Sequence, residues 1–381
     1  MPENTNSILI NASNLHNGGG VQVAASFLSE VLELEANYAD ITVWISTEIT
    51  RAMKSLGIDL RLFPNVELVD VHGLGAIFSE YNNYLADFDL VFTIFGPNYF
   101  RNKDYINLVG FAQPWILDDS AYQILSPPSR IKSKLKFFVQ KLFFKTADAF
   151  VVELEHVRDG LYRENIAQRG SVYVAYNCIS SLYLKPETWQ TLDVDVASSN
   201  FKIGFLGRDY AHKNTAILPE VKRALVQRHG LDVDFFVTLN EQEWDNKPES
   251  FRSTISNVGG LAVTQCPSFY QALDAVIFPS LLECFSATPL EAMAMEKPLF
   301  ASDRRFVKDI CGDLVFYFDP LDPENVADVI ASYIREQHEN DAERLAKARE
   351  HAVNFSSAKG RAERYLEIIS SELAKEHGLV S

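Results

Sequence analysis

The stretch AVIFPSLLECFSATPLEAMAMEKPLFASD, residues 275–303, has the pattern of one complete strand–loop–helix–strand unit. Short apolar runs at 275–279 and 298–301 are typical of buried strands. Between them, TPLE at 288–291 has the S/T-x-x-E spacing of a capping box with proline in the first turn, which predicts a helix start. The stretch therefore predicts a parallel α/β sheet. It also places two carboxylates, Glu283 and Glu291, on either side of the start of the helix.

The same alternation of short apolar runs and longer helical stretches continues along the whole chain. Runs that are apolar throughout indicate parallel strands covered by helices on both faces. The predicted strands lie at residues 8–10, 41–45, 66–71, 90–95, 108–112, 149–152 and 172–175, and then at 202–206, 233–239, 275–279, 298–301 and 314–317. The sequence thus predicts two doubly wound parallel-sheet, Rossmann-like domains. In such domains ligands bind at the carboxyl ends of the strands.

The length of 381 residues also favours two domains, of about 150–200 residues each. The stretch KPETWQTLDVDVASSN, residues 185–200, contains turn formers and charges without a helical period, and we interpret it as the linker. The predicted organisation is an N-terminal domain at 1–184, the linker at 185–200 and a C-terminal domain at 201–360. A final helix at 361–381 is a candidate to pack back on the N-terminal domain.

Composition narrows the classes of partner. A net charge of −16 argues against nucleic acid, which requires a dominant basic surface. Four scattered cysteines without a CxxC pair fit a reducing compartment and predict neither a zinc site nor a disulfide framework. The polar start MPENTNS indicates no signal peptide, and no apolar run approaches the roughly 20 residues needed to cross a bilayer. We expect a cytoplasmic protein.

The second half carries two cations in the loop that follows the predicted strand 202–206. Arg208 directly follows Gly207, and Lys213 comes five residues later in the same loop, before the next helix. An arginine fork and a lysine point charge five residues apart can hold a diphosphate between them. The alternative is an ordinary solvated loop. Glu291 likewise has two interpretations, a helix-capping residue or a ligand for a hydroxyl group, and Glu283 is either solvated or bound to the same ligand.

Taken together, these motifs resemble the nucleotide-sugar-binding domain of glycosyltransferase family 4, a retaining family with the GT-B fold. The resemblance covers about a hundred residues, from Gly207-Arg208 and Lys213-Asn214 to Glu283-x7-Glu291 and the following Lys297-Pro298. It implies two Rossmann-like domains that face each other across a cleft. It also implies transfer of a sugar from a UDP- or GDP-sugar to a glycan or lipid-linked glycan, in bacterial O-antigen, capsule or exopolysaccharide assembly.

The resemblance assigns roles to individual residues. Arg208 and Lys213 would hold the donor diphosphate and stabilise the leaving group, Glu283 would contact hydroxyls of the transferred sugar, and Glu291 would contact the ribose. The loop and helix start would complete the donor site with Gly207, Phe285, Ser286, Ala287 and Thr288. Where the family has glycines, this chain has Cys284 and Ser286, so the shape of the loop and the identity of the sugar stay open.

The first half has a second constellation, in the stretch ILINASNLHNGGGVQVAASFL at residues 8–28. Gly18, Gly19 and Gly20 precede a helix but lack the last glycine of G-x-G-x-x-G, because Val23 stands in its place. In the resembled family this loop faces the cleft, near the donor phosphates and the acceptor, whereas a flexible loop is the alternative. His16 is an acid/base candidate or a polar loop residue. Gln113 stands where the family often has a histidine, and Trp115 could stack on a sugar.

No metal or other cofactor is expected. Asp87-Phe88-Asp89 has the spacing of a metal-binding D-x-D, but it lies just before a predicted strand, where a turn is the better interpretation. GT-B enzymes neutralise the diphosphate with cations and helix dipoles. The chain also has no cluster of histidines and cysteines that would predict a metal site.

The stretch SRIKSKLKFFVQKLFFK, residues 129–145, reverses the sign of this acidic chain. It contains no acid, and Leu135, Phe138, Val139 and Leu142 fall on one helical face. A basic amphipathic helix of this kind indicates an anionic membrane surface at the inner face of the plasma membrane. The alternative is a core helix with a solvated basic side. Its cations are Arg130, Lys132, Lys134, Lys136, Lys141 and Lys145.

For the mechanism we favour front-face attack, in which the leaving diphosphate held by Arg208 and Lys213 takes the proton of the acceptor. Covalent double displacement would need a carboxylate at the anomeric carbon, and Glu283 is the only candidate for it. Two other functions remain open: a nucleotide-sugar epimerase on the same fold, and a non-catalytic sugar-binding partner of a polysaccharide synthase.

Overall fold

The structure, a computed structural model, describes residues 7–34, 41–101, 104–194, 196–336 and 341–376. Residues 1–6 of the polar start and residues 377–381 of the predicted last helix lie outside these ranges. The contacts divide the described chain into two units. Unit 1 comprises the described residues of Met1–Asp119, Pro127–Asn177 and Ala358–Ser381, and unit 2 comprises those of Ser120–Ser126 and Cys178–Ser357.

The strands of the described chain are, in order, β1 Ile8–Ala12, β2 Ile41–Ile45, β3 Asn65–Leu68, β4 Leu90–Thr93, β5 Ile106–Gly110, β6 Ala149–Val152, β7 Val172–Val174, β8 Phe201–Phe205, β9 Val233–Val237, β10 Ser256–Asn257, β11 Ala275–Phe278, β12 Leu299–Ser302 and β13 Phe316–Phe318. The α-helices are α1 Gly19–Glu33, α2 Thr47–Ser55, α3 Pro127–Phe144, α4 Glu155–Arg163, α5 Leu218–Ala224, α6 Glu241–Asp245, α7 Glu249–Arg252, α8 Cys266–Ala272, α9 Thr288–Ala294, α10 Arg305–Cys311, α11 Pro323–Arg335, α12 Asp341–Asn354 and α13 Ala358–Glu376. No helix within the described ranges is long and apolar enough to cross a membrane.

Unit 1 contains a seven-stranded parallel sheet in the order β3-β2-β1-β4-β5-β6-β7. Strands β4 and β6 are buried along their whole length, as expected for apolar strands with helices on both faces. The edge strand β3 is largely exposed and is also the least apolar in sequence. From β1 the chain adds β2 and β3 on one side, and it then adds β4 to β7 on the other side. The topological switch point of unit 1 therefore lies between β1 and β4.

Unit 2 contains a six-stranded parallel sheet in the order β10-β9-β8-β11-β12-β13. Strand β11 lies at its centre, where Val276 pairs with Gly204 of β8 and with Leu299 of β12. Its four residues are fully buried. The switch point of unit 2 falls between β8 and β11. Residues 275–303 therefore form the strand–loop–helix–strand unit β11–α9–β12.

All twelve predicted strands overlap a strand of the structure, and both sheets are parallel and doubly wound. The prediction missed β10, because a two-residue strand carries too few residues to show a pattern. Its pairing with β9 depends on the fold rather than on local sequence.

The chain leaves unit 1 after Asn177, before the boundary at residue 184 that the sequence suggested. Within 185–200, Gln190 donates its amide to the Thr264 carbonyl, and its own carbonyl accepts from Ser268. The stretch interpreted as a linker therefore packs on unit 2. Turn formers identify a loop but do not reveal the surface against which it packs.

Helix α13 belongs to unit 1, although it follows unit 2 in the chain. The buried ring of Tyr365 contacts the rings of Phe27 and Phe92 edge-on, with centroids 5.0 and 5.2 Å away. Arg361 is also buried and donates to Ser26 on α1 and to Asn177. Apolar burial combined with paired polar groups fixes this helix against α1 and β4.

Candidate functional site

The cations and carboxylates of the second half lie on the two loops at the switch point of unit 2. One loop follows β8 and carries Arg208 and Lys213, and the other follows β11 and carries Glu283. The amide of Leu281 donates to the carbonyl of His212 at 2.7 Å and joins the two loops. A crevice outside the carboxyl ends of strands at a switch point is where doubly wound domains bind ligands.

Lys213 and Glu283 form a buried ion pair between these loops. The Lys213 Nζ lies 2.6 Å from the Glu283 Oε1, and the two side chains are only 14% and 10% exposed. The same ammonium lies 5.3 Å from the centre of the Phe278 ring. His212 Nε2 lies 3.7 Å from Glu283, and burial lowers the pKa of His212 although Glu283 opposes that shift. These loops thus hold a compensated charge pair beside an imidazole whose pKa lies below its ordinary value.

Arg208 is held by a residue that the sequence reasoning missed. Its Nε donates to Glu243 Oε1 at 2.6 Å, and the same carboxylate accepts from the amides of Asp209 and Asn240. Burial would raise the pKa of Glu243, but these hydrogen bonds outweigh it and lower that pKa. The signal was present in the sequence as Asn240-x-x-Glu243, which forms a capping box at the start of α6.

The loop after β8 has a fixed backbone. Gly207 has φ of +152°, a left-handed conformation that favours glycine, and its amide donates to Thr238. Asp209 accepts from the Thr215 hydroxyl at 2.5 Å and from the Lys247 ammonium at 2.7 Å. The bond from Thr215 closes the loop, and those with Thr238 and Lys247 attach it to the segment that follows β9.

Glu291 does not cap α9. The residue that precedes the helix is Ala287, and no side chain caps the helix, so the capping interpretation was wrong. The carboxylate instead accepts a hydrogen bond from the Tyr270 hydroxyl at 3.0 Å and one from Tyr183. Burial raises the pKa of Glu291, while both tyrosines and the charge of Lys213 oppose the shift. No local sequence pattern could reveal the two tyrosines, because they come from α8 and from residues 181–184.

The loop between Glu283 and α9 adopts its shape without glycine. The described non-glycine residues with positive φ are Asn165, Asn214 and Glu296, so neither Cys284 nor Ser286 requires that conformation. The Cys284 thiol is buried, as is Ser286. Phe285 and Ala287 are half-buried, and Thr288 is buried at the start of the helix. The loop therefore forms with Cys284 and Ser286 at the positions where the resembled family has glycine, and neither residue needs a positive φ.

His16 and the three glycines lie at the switch point of unit 1. His16 Nε2 donates to the Val71 carbonyl at 2.8 Å, and its ring stacks on His72 with centroids 4.0 Å apart. Asp70 lies 3.7 Å from His16 Nδ1, and hydrogen bonds from Thr47 hold the pKa of Asp70 below its usual range. The bond to Val71 fixes the imidazole orientation and leaves Nδ1 as the nitrogen that could accept a proton.

Gly18 precedes α1 with φ of +70°, which explains the need for glycine there. A side-chain carbon at Gly18 or Gly19 would meet no atom within 4 Å, whereas one at Gly20 would approach Leu15 to 3.3 Å. The first two glycines therefore leave open space outside the backbone, in agreement with a loop that a ligand can approach.

Gln113 and Trp115 follow β5, one strand further along the sheet. Gln113 is half-buried and directly precedes the short 3-10 segment Pro114–Ile116. Trp115 stacks on Phe137 of α3, with centroids 6.1 Å apart and the rings nearly parallel. One face of the indole is thus directed towards α3, and the sugar-stacking role proposed for it is limited to the opposite face.

The D-x-D spacing at 87–89 lies before β4, at the end of the sheet opposite the switch point. Asp87 ends a short 3-10 segment and Asp89 accepts from the amide of Ser7. Within the described ranges, no three residues of His, Cys, Asp or Glu are grouped so that they could hold a metal ion.

Part of the second half of the chain matches a known protein family. Residues 250–352 match the family described as Glycosyl transferases group 1, and this segment contains both carboxylates of the β11 loop and α9. A comparison with curated proteins finds no match. Solved structures similar to this chain include HepE (Alr3699) of Anabaena in complex with UDP and glucose, with 16% identity, coverage of 96% of this chain and 99% of that chain, and a TM-score of 0.65.

Two further structures extend the comparison. A glycosyltransferase from Rickettsia africae has 15% identity, coverage of 98% and 99%, and a TM-score of 0.66. The N-terminal domain of Candida albicans trehalose-6-phosphate phosphatase has 11% identity, coverage of 96% of both chains, and a TM-score of 0.59. These likenesses confirm the GT-B fold. Since one of these proteins is named a phosphatase, function has to be argued from the site.

Proposed function

We propose that this chain is a retaining glycosyltransferase that uses a nucleotide-diphosphate sugar. The observation that carries the proposal is the Lys213–Glu283 pair, which joins the two loops at the switch point of unit 2. An ammonium has three N–H donors and a carboxylate has two oxygens, so each partner keeps capacity beyond the pair. Lys213 would bind the diphosphate with its remaining donors, and Glu283 would accept from hydroxyls of the transferred sugar.

Arg208 supports the same assignment. Its Nε is used by Glu243, and its side chain is 60% exposed. The two Nη groups would bind phosphate oxygens, because the planar guanidinium presents its donors as a fork. Glu243 acts as the positioning residue for that fork. Gly207 and the loop from Phe285 to Thr288 would complete the donor site.

Glu291 is proposed to bind the ribose. Its carboxylate can accept about four hydrogen bonds, of which Tyr270 and Tyr183 supply two. Two ribose hydroxyls would supply the others. The two tyrosines hold the carboxylate in one orientation, so the free-energy cost of fixing a flexible glutamate does not fall on ligand binding.

The proposed reaction retains the anomeric configuration by front-face attack. The bond between the anomeric carbon and the diphosphate breaks, the acceptor oxygen bonds to the same face, and the acceptor proton moves to the leaving phosphate oxygen. Lys213 and Arg208 stabilise the charge that develops on the leaving group. Glu283 is a poor nucleophile because its charge is compensated by Lys213, which disfavours a covalent intermediate. No metal has a role in this reaction.

The donor class is proposed by analogy. Solved HepE structures hold UDP and UDP-glucose, so UDP-sugars are the first donors to examine and GDP-sugars the second. The proposed acceptor is a glycan or lipid-linked glycan in bacterial surface polysaccharide assembly, at the cytoplasmic side of the membrane. His16, Gln113 and Trp115, with the open space beside Gly18 and Gly19, form the proposed acceptor-side surface of unit 1.

A panel of UDP- and GDP-sugars, incubated with and without glycan acceptors and with a chelator, tests the proposal. We expect nucleoside diphosphate release that depends on an acceptor and persists in the chelator, with a product whose anomeric configuration by NMR matches that of the donor. An isomerised nucleotide sugar formed without acceptor would instead identify an epimerase. Binding without any turnover would identify a non-catalytic sugar-binding protein.

A further inference from the structure

Helix α3 presents an apolar stripe to solvent. Ile131, Leu135, Phe138 and Leu142 are 71%, 65%, 59% and 50% exposed. Their spacing of four, three and four residues places them on one face of the helix. Only Phe144 is fully buried among the residues of α3, so the alternative of a core helix was wrong. Four large apolar side chains in one continuous exposed row are typical of a contact surface.

The opposite side of α3 is already packed. Phe137 stacks on Trp115, and Phe143 meets the ring of Tyr99 edge-on at 4.8 Å. Lys141 is bonded to Glu164 of the neighbouring segment at 2.9 Å. These contacts fix the rotation of the helix about its axis. The packing of the opposite side therefore orients the apolar stripe towards solvent.

Cations border the stripe on both sides. Lys132, Lys134 and Lys136 are exposed, and no acid lies between Asp119 and Asp148 in the sequence. Asp119 lies 3.8 Å from Lys134, and Glu164 is paired with Lys141. Lysine stems can extend along an apolar surface while their ammonium groups reach a polar boundary. An apolar row with basic borders, in a chain of net charge −16, is complementary to a surface that is apolar inside and anionic at its rim.

We propose that α3 docks the protein on an anionic lipid bilayer. The four apolar side chains enter the boundary between headgroups and acyl chains, and the bordering lysines bind anionic headgroups. A second copy of this chain fits the surface less well. A two-fold interface would place the basic borders of two α3 helices against each other, and like charges in contact are unfavourable.

The docking surface also has a bearing on the acceptor. The Phe137–Trp115 stack connects α3 to the segment that carries Gln113 and Trp115. Membrane docking would present these residues to a lipid-linked acceptor. This connection between docking and the acceptor rests on the proposed function. The docking itself does not depend on transferase activity, so vesicle binding and turnover can fail independently.

The test measures binding of the full-length protein to vesicles made of phosphatidylglycerol and phosphatidylcholine, and to vesicles of phosphatidylcholine alone. We expect binding to the anionic vesicles at low salt that fades as the salt concentration rises, because salt screens the lysines. One lysine near an anionic surface changes the affinity about fivefold, so the triple change of Lys132, Lys134 and Lys136 to Gln should lower it about 10²-fold.

The apolar stripe is tested by Leu135→Ser with Phe138→Ser, which should also weaken binding to the anionic vesicles strongly, because it removes two of the four apolar contacts. The matched control changes Leu321 and Val263 to Ser, since these side chains of unit 2 are 64% and 57% exposed. The control for charge changes the exposed lysines Lys54, Lys185 and Lys359 to Gln. Both control variants should bind like wild type. Because all substituted residues are exposed, circular dichroism and melting temperature should stay unchanged.

Three outcomes would overturn the proposal. Wild type could fail to bind anionic vesicles at every salt concentration. Either α3 variant could bind as tightly as wild type. Sedimentation could show a dimer that the Leu135/Phe138 variant loses, in which case a second copy occupies the stripe.

Discussion

The two switch points of the molecule are built from different chemistry. In unit 2 the loops carry charges that are already bonded: Arg208 to Glu243 and Lys213 to Glu283. In unit 1 the corresponding loops carry glycines and an imidazole held by a backbone carbonyl. A loop that holds opposite charges in fixed positions suits an anionic ligand with a defined shape. A loop of glycines with one oriented imidazole suits a neutral ligand that carries hydroxyls.

The largest effect should come from the cations of unit 2. We expect Arg208→Ala to lower turnover by about 10²-fold or more, because it removes preorganised charge stabilisation of the leaving group. Steady-state kinetics with the active donor provide the measurement. The matched control is Arg228→Ala, another exposed arginine of unit 2, which pairs with Glu324 and Asp328 outside the site. Wild-type turnover in Arg208→Ala, or an equal loss in the control, would remove Arg208 from the site.

Lys213→Ala should cause a similar loss of turnover and also a loss of stability. The substitution leaves the buried carboxylate of Glu283 without its cation, and breaking a buried pair costs about 3–5 kcal/mol. Arg208→Ala should lower the melting temperature less, because that cation is 60% exposed and Glu243 keeps its hydrogen bonds from the amides of Asp209 and Asn240. Thermal unfolding of the two variants compares a buried cation with an exposed one. Equal melting temperatures would contradict the buried pair.

Glu291→Gln should weaken donor binding by about 1–3 kcal/mol, because the ribose loses a charged acceptor. Calorimetry with the nucleoside diphosphate measures this loss. For comparison, Tyr270→Phe removes one of the two hydrogen bonds that orient the carboxylate and should lower donor affinity by less, about 1 kcal/mol, because it acts on the ligand only through Glu291. Tyr333→Phe, which removes a tyrosine–carboxylate bond elsewhere in unit 2, is its control. Unchanged affinity in Glu291→Gln would exclude a ribose-binding role.

A pH titration sharpens the assignment of Glu291. Burial raises the pKa of this carboxyl above its ordinary value, so it takes up a proton at a higher pH than an exposed glutamate. Donor affinity should therefore be complete well above that pKa and fall as the pH decreases towards it. UDP-glucose is the suitable probe, because both of its phosphates are esterified and do not titrate near neutral pH. In Glu291→Gln the profile should be flat, and a decline equal to that of wild type would assign it to another group.

The smallest effect on donor binding should come from unit 1. We expect His16→Ala to leave affinity for the nucleoside diphosphate within about twofold of wild type, because it changes no charge in the loops of unit 2. Turnover should fall through the acceptor KM, which acceptor titrations at saturating donor would show. A large loss of donor affinity would mean that the comparison between the two switch points is wrong.

Sequence predicted the sheets well and the bonds within the site less well. Apolar runs such as 41–45 and 149–152 coincide with strands because a strand buried on both faces must be apolar throughout. The positions of Arg208 and Glu283 follow from the same pattern, since they come directly after predicted strands. Their partners do not. Tyr183 precedes Glu291 by 108 residues in the sequence, and only the fold brings the two side chains together.

Helices show the same limit. The 3.6-residue periods of α3 and α13 both predict an apolar face. The period does not show whether that face packs against the rest of the protein or is exposed to solvent. Tyr365 on α13 is buried against Phe27 and Phe92, whereas Leu135 on α3 is exposed. The difference arises from tertiary contacts that local sequence does not contain.

Hydrogen–deuterium exchange of the full chain, with and without saturating UDP or GDP, tests the central claim most directly. The account predicts that the nucleotide slows exchange at residues 206–215 and 279–291, the two loops of the unit 2 switch point, with little change at 13–20 in unit 1. Protection confined to residues 13–20, or no protection in either loop of unit 2 at saturating nucleotide, would contradict it.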